Sequence, residues 1–259
     1  MKIKANGISF HCRVDGRDGA PWLVFANSLA TNLSMWDEQT DALRDHFHIL
    51  RYDHRGHGET EAPDGAYDFD RLVADAVALF DAFEIKRAHF VGLSMGGMTA
   101  IGLAEKHPDR LNRVVACDCG PASTPQSAQQ WEERIAVARA NGMEALVEST
   151  IARWFPAEFI TANKPVIDKA REMIRTTPAA GFIGCAYALS NFDLRPGLGM
   201  IKNETKFICG TKDAALAGTK ALHAAVGGSS LVEIPGAGHI SNMENPELFT
   251  RTLKEFLTR

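Results

Sequence analysis

No run of about 18 consecutive apolar residues, the length a spanning helix needs, occurs anywhere in this 259-residue chain. A spanning helix is therefore not expected, nor any membrane partner. The opening Met1-Lys2-Ile3-Lys4-Ala5-Asn6 alternates polar and apolar residues instead of building an apolar block, so no secretory signal is expected. Cysteine is scarce and odd in number, comprising Cys12, Cys117, Cys119, Cys185 and Cys209. That spacing fits neither a disulfide framework nor a zinc site built from C-x-x-C pairs. Reduced thiols in a cytoplasmic protein are the expectation, with no metal and no cofactor. Positive charge is not in excess either. The formal net charge is −4, so no basic face for nucleic acid is expected, and an anionic substrate must be caught by local cations. There is no internal repeat and no low-complexity stretch, and no pattern fixes an oligomeric state.

Hydrophobic residues make up 45% of the chain and charged residues 23%, the balance of an ordinary globular protein. Asn6-Gly7, between the alternating runs Lys2 to Ala5 and Ile8 to Val14, predicts an edge hairpin. Short continuous apolar runs then recur at Trp22 to Phe25, His48 to Tyr52, His89 to Val91, Arg113 to Cys117, Lys206 to Cys209 and Leu231 to Ile234. Such runs predict strands buried on both faces. Between them, Phe69, Leu72, Val73, Ala76, Leu79, Phe80 and Phe83 fall on one helical face, and Met95 to Lys106 and Leu248 to Leu257 also read as helices. Strand and helix in alternation predict an α/β fold, with a mainly parallel central sheet flanked by helices. The alternation stops between about Ala122 and Arg195, where the pattern is helical and broken by Pro156, Pro165 and Pro178. The expected organisation is a core made of residues 1–121 and 196–259, with a helical cap at 122–195.

Gly92-Leu93-Ser94-Met95-Gly96 has the form G-x-S-x-G and stands between a predicted strand and a predicted helix. A sharp turn there lifts a serine hydroxyl clear of the chain, and the following helix start supplies amides and a positive dipole end for an oxyanion. A hydroxyl needs an adjacent base. Of the nine histidines, His46, His48, His107 and His223 fall in helical or strand patterns. His54 and His57 lie in the glycine-rich turn Tyr52 to Gly58. His239 follows the last predicted strand, in Pro235-Gly236-Ala237-Gly238-His239. Strand C-terminal ends are where ligands bind in such sheets, and the order Ser, acid, His is the one this architecture uses. Ser94 is thus the expected nucleophile and His239 the expected base. Asp213, after the strand Lys206 to Cys209, is preferred as the acid over Asp118, which follows the strand at 113–117. Lys212 beside it is expected to be merely solvated.

Together these motifs resemble the α/β-hydrolase superfamily over nearly the whole chain and, within it, the 3-oxoadipate enol-lactonases of the β-ketoadipate pathway of aromatic degradation. The resemblance is carried by Phe25-Ala26-Asn27-Ser28-Leu29, Ser34-Met35-Trp36-Asp37, Leu50-Arg51-Tyr52-Asp53 with Arg55-Gly56-His57-Gly58, the Ser94 turn, Arg153-Trp154-Phe155 and Gly238-His239-Ile240-Ser241-Asn242. Asn27-Ser28 is the informative pair, because many hydrolases carry His-Gly there. The resemblance implies that Leu29 and Met95 donate backbone amides as an oxyanion hole. It also implies a carboxylated lactone or another small ester as substrate. Thr60 stands where the family usually has serine, and Ala214-Ala215-Leu216-Ala217 lacks the common nearby proline. A substrate carboxylate needs a cation. The cap offers Arg134, Arg139, Arg153, Arg171 and Arg175. Trp131 and Arg134 are spaced to share a helix face, and Arg153-Trp154 is a second cation–aromatic pair, one that cannot share a face so neatly, so these four are the substrate-binding candidates. The other readings are a carboxylesterase and, from a different class, a ligand receptor with little turnover.

Overall fold

In a computed structural model, which describes residues 1–259, the apolar runs become strands and the amphipathic stretches become helices. In chain order these are β1 (Lys2–Ala5), β2 (Ile8–Gly16), β3 (Trp22–Ala26), α1 (Asp37–Leu43), β4 (His48–Tyr52), α2 (Phe69–Ala82), β5 (Ala88–Leu93), α3 (Met95–Lys106) and β6 (Leu111–Cys117). Next come α4 (Pro125–Asn141), α5 (Val147–Trp154), α6 (Ala157–Ala162), α7 (Lys164–Thr176) and α8 (Ala179–Ser190). The chain finishes with β7 (Glu204–Gly210), α9 (Leu216–Ala225), β8 (Ser230–Ile234), α10 (Ser241–Glu244) and α11 (Pro246–Leu257).

The strands form one eight-stranded sheet in the order β1-β2-β4-β3-β5-β6-β7-β8. β1 pairs antiparallel with β2, and β2 antiparallel with β4, while every later pairing is parallel. The edge hairpin turns at Asn6 and Gly7, both at positive φ (41° and 80°), as a two-residue hairpin loop requires. Burial follows position in the sheet. Alternate residues of β2 are covered, whereas β5 is buried along its whole length. α3 likewise has no polar face, its residues 95–104 all being buried between the sheet and its neighbours.

The sequence pattern missed α1, α9 and α10, all of them short. The prolines at 156, 165 and 178 act as helix starters. Pro156 and Pro178 precede α6 and α8, and Pro165 occupies the first turn of α7, where the missing N–H would have no partner anyway. No helix is long and apolar enough to cross a membrane. All five thiols are free and buried.

A buried ion pair ties the glycine-rich turn after β4 to α2. Arg55 donates to both oxygens of Asp75 at 2.8 and 2.6 Å, and Asn6 of the hairpin turn adds a third bond to Asp75 at 2.7 Å. Three segments distant in sequence thereby meet at one carboxylate.

Candidate active site

The loops after β3, β5, β6, β7 and β8 converge at one end of the sheet, and α4, α5 and α8 face them across a cavity of about 270 Å³. At its floor, Ser94 joins β5 to α3 with φ 56° and ψ −113°, a backbone state that non-glycine residues rarely adopt. The flanking glycines follow from the crowding this creates. A Cβ on Gly92 would lie 2.0 Å from the Gly96 carbonyl oxygen, and one on Gly96 would lie 2.2 Å from that of Ala26.

The Ser94 Oγ lies 2.9 Å from His239 Nε2, and His239 Nδ1 lies 3.0 Å from Asp213 Oδ2. A carboxylate only accepts, so Nδ1 carries the proton and Nε2 is left to receive one from the serine. Asp213 is itself fixed by the Ala215 N–H at 3.0 Å. Asp118, the rival acid, is turned elsewhere. It accepts from the Gly210 N–H at 2.9 Å and from the Ser241 hydroxyl at 2.5 Å.

The electrostatics separate the two acids further. Burial pushes both carboxyls up, but in Asp213 the charge and hydrogen bond of His239 prevail and hold it below the usual range. Asp118 is fully enclosed, and burial together with the nearby Asp213 charge holds it well above that range. Burial pulls the His239 imidazole down, and Asp213 more than offsets this, leaving it above the ordinary 6.5. Asp118, Cys209 and Asp213 offer ligand atoms within 4.8 Å of one another. The carboxylate oxygens already take protein donors, however, so this cluster reads as part of the histidine's support and not as a metal cage.

The loop after β3 supplies a free amide. Within the turn from Ser28 to Thr31, the Ala30 N–H donates to His57 Nε2 at 2.9 Å and the Thr31 N–H to the Ser28 carbonyl at 3.4 Å, while the Leu29 N–H donates to no protein group. Leu29 and Ser94 both line the cavity. Met95 is the first residue of α3, and the first amides of a helix have no acceptor within it.

The arginines of α4, α5 and α7 divide sharply. Arg171 is bonded to Glu148 and Asp168, Arg175 to Glu144 and Glu172, and Arg139 to the Tyr187 hydroxyl. Only Arg134 and Arg153 line the cavity. Their guanidinium carbons lie 5.7 and 5.3 Å from the Trp131 ring centre. Arg134 also donates to Thr150 Oγ1 at 2.6 Å, and its buried Nε has no partner. Burial, aided by the charge of Arg153, pulls Arg134 down to about 10.

Arg153 lies over Trp131 and not over its neighbour Trp154, since adjacent helix residues point about 100° apart. Trp154 is buried, its ring edge-on to Phe155, and its carbonyl oxygen accepts the His239 backbone N–H at 2.7 Å. Lys212 is not merely solvated, since it pairs with Glu158 of α6. Sequence reading also passed over Glu244, whose two oxygens each lie 2.9 Å from the Gly238 N–H. Burial pushes its carboxyl up to about 7.

A family model for the alpha/beta hydrolase fold matches residues 21–246. The 3-oxoadipate enol-lactonase 2 of Acinetobacter baylyi is 33% identical, over 99% of this chain and 96% of its own length. The crystal structure of the enol-lactonase from Burkholderia xenovorans LB400 superposes with a TM-score of 0.96 at 40% identity, covering all of both chains. That of a hydrolase from Pseudomonas aeruginosa PA01 gives 0.95 at 37% identity, over 100% of this chain and 98% of that one. This chain is a hydrolytic enzyme and belongs to the α/β-hydrolase family.

Proposed function

We propose that this enzyme opens a carboxylate-bearing enol-lactone of the 3-oxoadipate enol-lactone type, with Ser94 as nucleophile, His239 as general base and acid, and Asp213 as the group that orients His239. In this reading Ser94 attacks the lactone carbonyl as His239 takes its proton. The Leu29 and Met95 amides hold the oxyanion. The carbonyl–oxygen bond of the ring breaks, and His239 returns the proton to the departing enol oxygen. Water, deprotonated by His239, then attacks the acyl-enzyme and releases a carboxylic acid, and the enol tautomerises to the ketone. The balance is one lactone plus one water to one keto acid. Residues 122–195 serve as a cap that carries the recognition groups.

The observation that carries the substrate class is the convergence of Arg134 and Arg153 on Trp131 within the nucleophile's own cavity, with no protein carboxylate bonded to either. Two cations without carboxylate partners, one half-buried and one exposed, beside a hydrolytic serine suit an anionic substituent on the substrate. Trp131 and Trp154 supply apolar walls. The relatives named as enol-lactonases point the same way.

A rate panel tests this reading, comparing a carboxylated enol-lactone, a neutral lactone and an open-chain ester. Preference for the carboxylated ring is expected. Preference for neutral esters would make the protein a carboxylesterase. No turnover of any of the three would overturn the lactonase reading and leave a hydrolase of another substrate class.

A further inference from the structure

We propose that His57 is a positioning residue for the oxyanion hole, aiming the Leu29 amide by holding the peptide that follows it. The inference rests on the role given above to Leu29.

The backbone around Leu29 is strained. Ala30 sits at φ 57°, a left-handed state that costs a residue with a Cβ about 1–2 kcal/mol and persists only where the surroundings impose it. Two groups impose it here. The Ser28 carbonyl accepts from the Thr31 hydroxyl at 2.8 Å as well as from the Thr31 N–H, which closes the turn. His57 Nε2 then takes the Ala30 N–H at 2.9 Å, from the far side of a different loop. With the Ser28–Leu29 peptide held through its carbonyl and the Leu29–Ala30 peptide through its N–H, the Leu29 N–H is the one amide of the turn left over for a ligand.

The chemistry of His57 fits an acceptor and no other role. The ring is fully buried. Its Nδ1 lies 3.1 Å from the Arg55 carbonyl oxygen, which only accepts, so Nδ1 bears the proton and Nε2 offers its lone pair. Both nitrogens are thus taken, leaving none for acid–base work at Ser94. A protonated imidazole would have no lone pair for Ala30, and burial opposes that protonation by pulling the ring below the ordinary histidine value. His57 is itself anchored, since its acceptor Arg55 is locked to Asp75. A second strut runs in parallel, with Asp53 Oδ1 taking the Leu33 N–H at 2.6 Å. The glycine-rich turn from Asp53 to Thr60 therefore acts as a brace for the loop after β3.

The test compares His57→Leu with His57→Gln, whose amide oxygen can replace the lost acceptor. Removing an oxyanion donor outright costs roughly 10²–10³ in kcat, so a misaimed donor should cost about 10- to 100-fold. His57→Leu should lose that much in kcat with KM little changed, and His57→Gln should recover most of it. A boronic acid that forms a tetrahedral adduct with Ser94 should bind His57→Leu more weakly by a matching factor, while the keto-acid product binds as before. Should His57→Leu fail to fold, His57→Asn, whose acceptor falls short, takes its place with the same expectation. Unchanged kcat in the acceptor-less variant, or equal losses in it and in His57→Gln, would overturn the proposal. Neither result touches the catalytic reading, which falls only if Ser94→Ala stays active.

Discussion

On the sheet side of the cavity every working group is fixed by backbone geometry, whereas on the helical side the groups are side chains reaching in from α4 and α5. Ser94 is held in a turn that tolerates only glycine at Gly92 and Gly96. His239 and Asp213 stand at the ends of adjacent strands, so pairing of β7 with β8 itself sets their separation. Arg134 and Arg153 have no such constraint. Arg153 lies over Trp131, and Arg134 is placed by the same ring and by its bond to Thr150. The reaction is therefore the rigid property of this molecule and the substrate its adjustable one.

That contrast predicts the largest effects on the sheet side. Ser94→Ala should abolish turnover of every substrate, a loss on the order of 10⁶ in kcat, with an unaltered thermal melt. Residual activity near wild type on any ester would break the comparison at its base. Asp213→Asn should lose about 10⁴-fold, the usual result of disordering a catalytic imidazole. Asp118→Asn should lose much less, because Asp118 bonds Gly210 and Ser241 and not His239. The reverse order would make Asp118 the working acid.

The pH profile sharpens the same point. With His239 as the proposed base, catalysis needs it neutral, and Asp213 raises its pKa. kcat/KM should therefore fall as pH drops through a value above 6.5. In Asp213→Asn the Asp213 charge is gone and burial remains, so the acid limb should move to lower pH. A limb that stayed in place would mean that another group controls it.

Effects on the helical side should be smaller and selective. Arg134→Ala should reduce kcat/KM for a carboxylated lactone by roughly 10- to 150-fold, the range expected for one lost charge-assisted bond, and leave a neutral ester almost untouched. Equal losses on both would show that Arg134 supports α4 and recognises nothing. Smallest of all, Lys212→Ala removes an exposed ion pair between the acid loop and α6. Such pairs contribute about 0–1 kcal/mol, so rate and melting temperature should barely move.

The same division governs how much could be read from the chain. The hairpin, six strands and the Ser94 turn were legible because each depends on local residue types: Asn-Gly for positive φ, continuous apolar runs for strands, glycine where a Cβ cannot fit. Burial on both faces does not hold for β8, which lies at the sheet edge and is largely half-buried. His239 and Asp213 were legible by order and strand position. The arginines were not resolved, since five of them share the stretch 122–195 and only packing reveals which two turn inward. His57 was weighed only as a rival base, because its partner Ala30 lies 27 positions away in another loop. The bond between Trp154 and His239 was equally invisible, for it joins two backbones and leaves no mark on either side chain.

That last bond limits how the molecule can breathe. The C-terminus of α5 grips the segment that carries the base, so swinging the helices outward as a lid would dislodge the imidazole and switch the catalyst off. With the roof held in place, substrate and product would pass through the mouth of the cavity as it stands. The size of that mouth, more than any hinge, would then limit the molecules admitted.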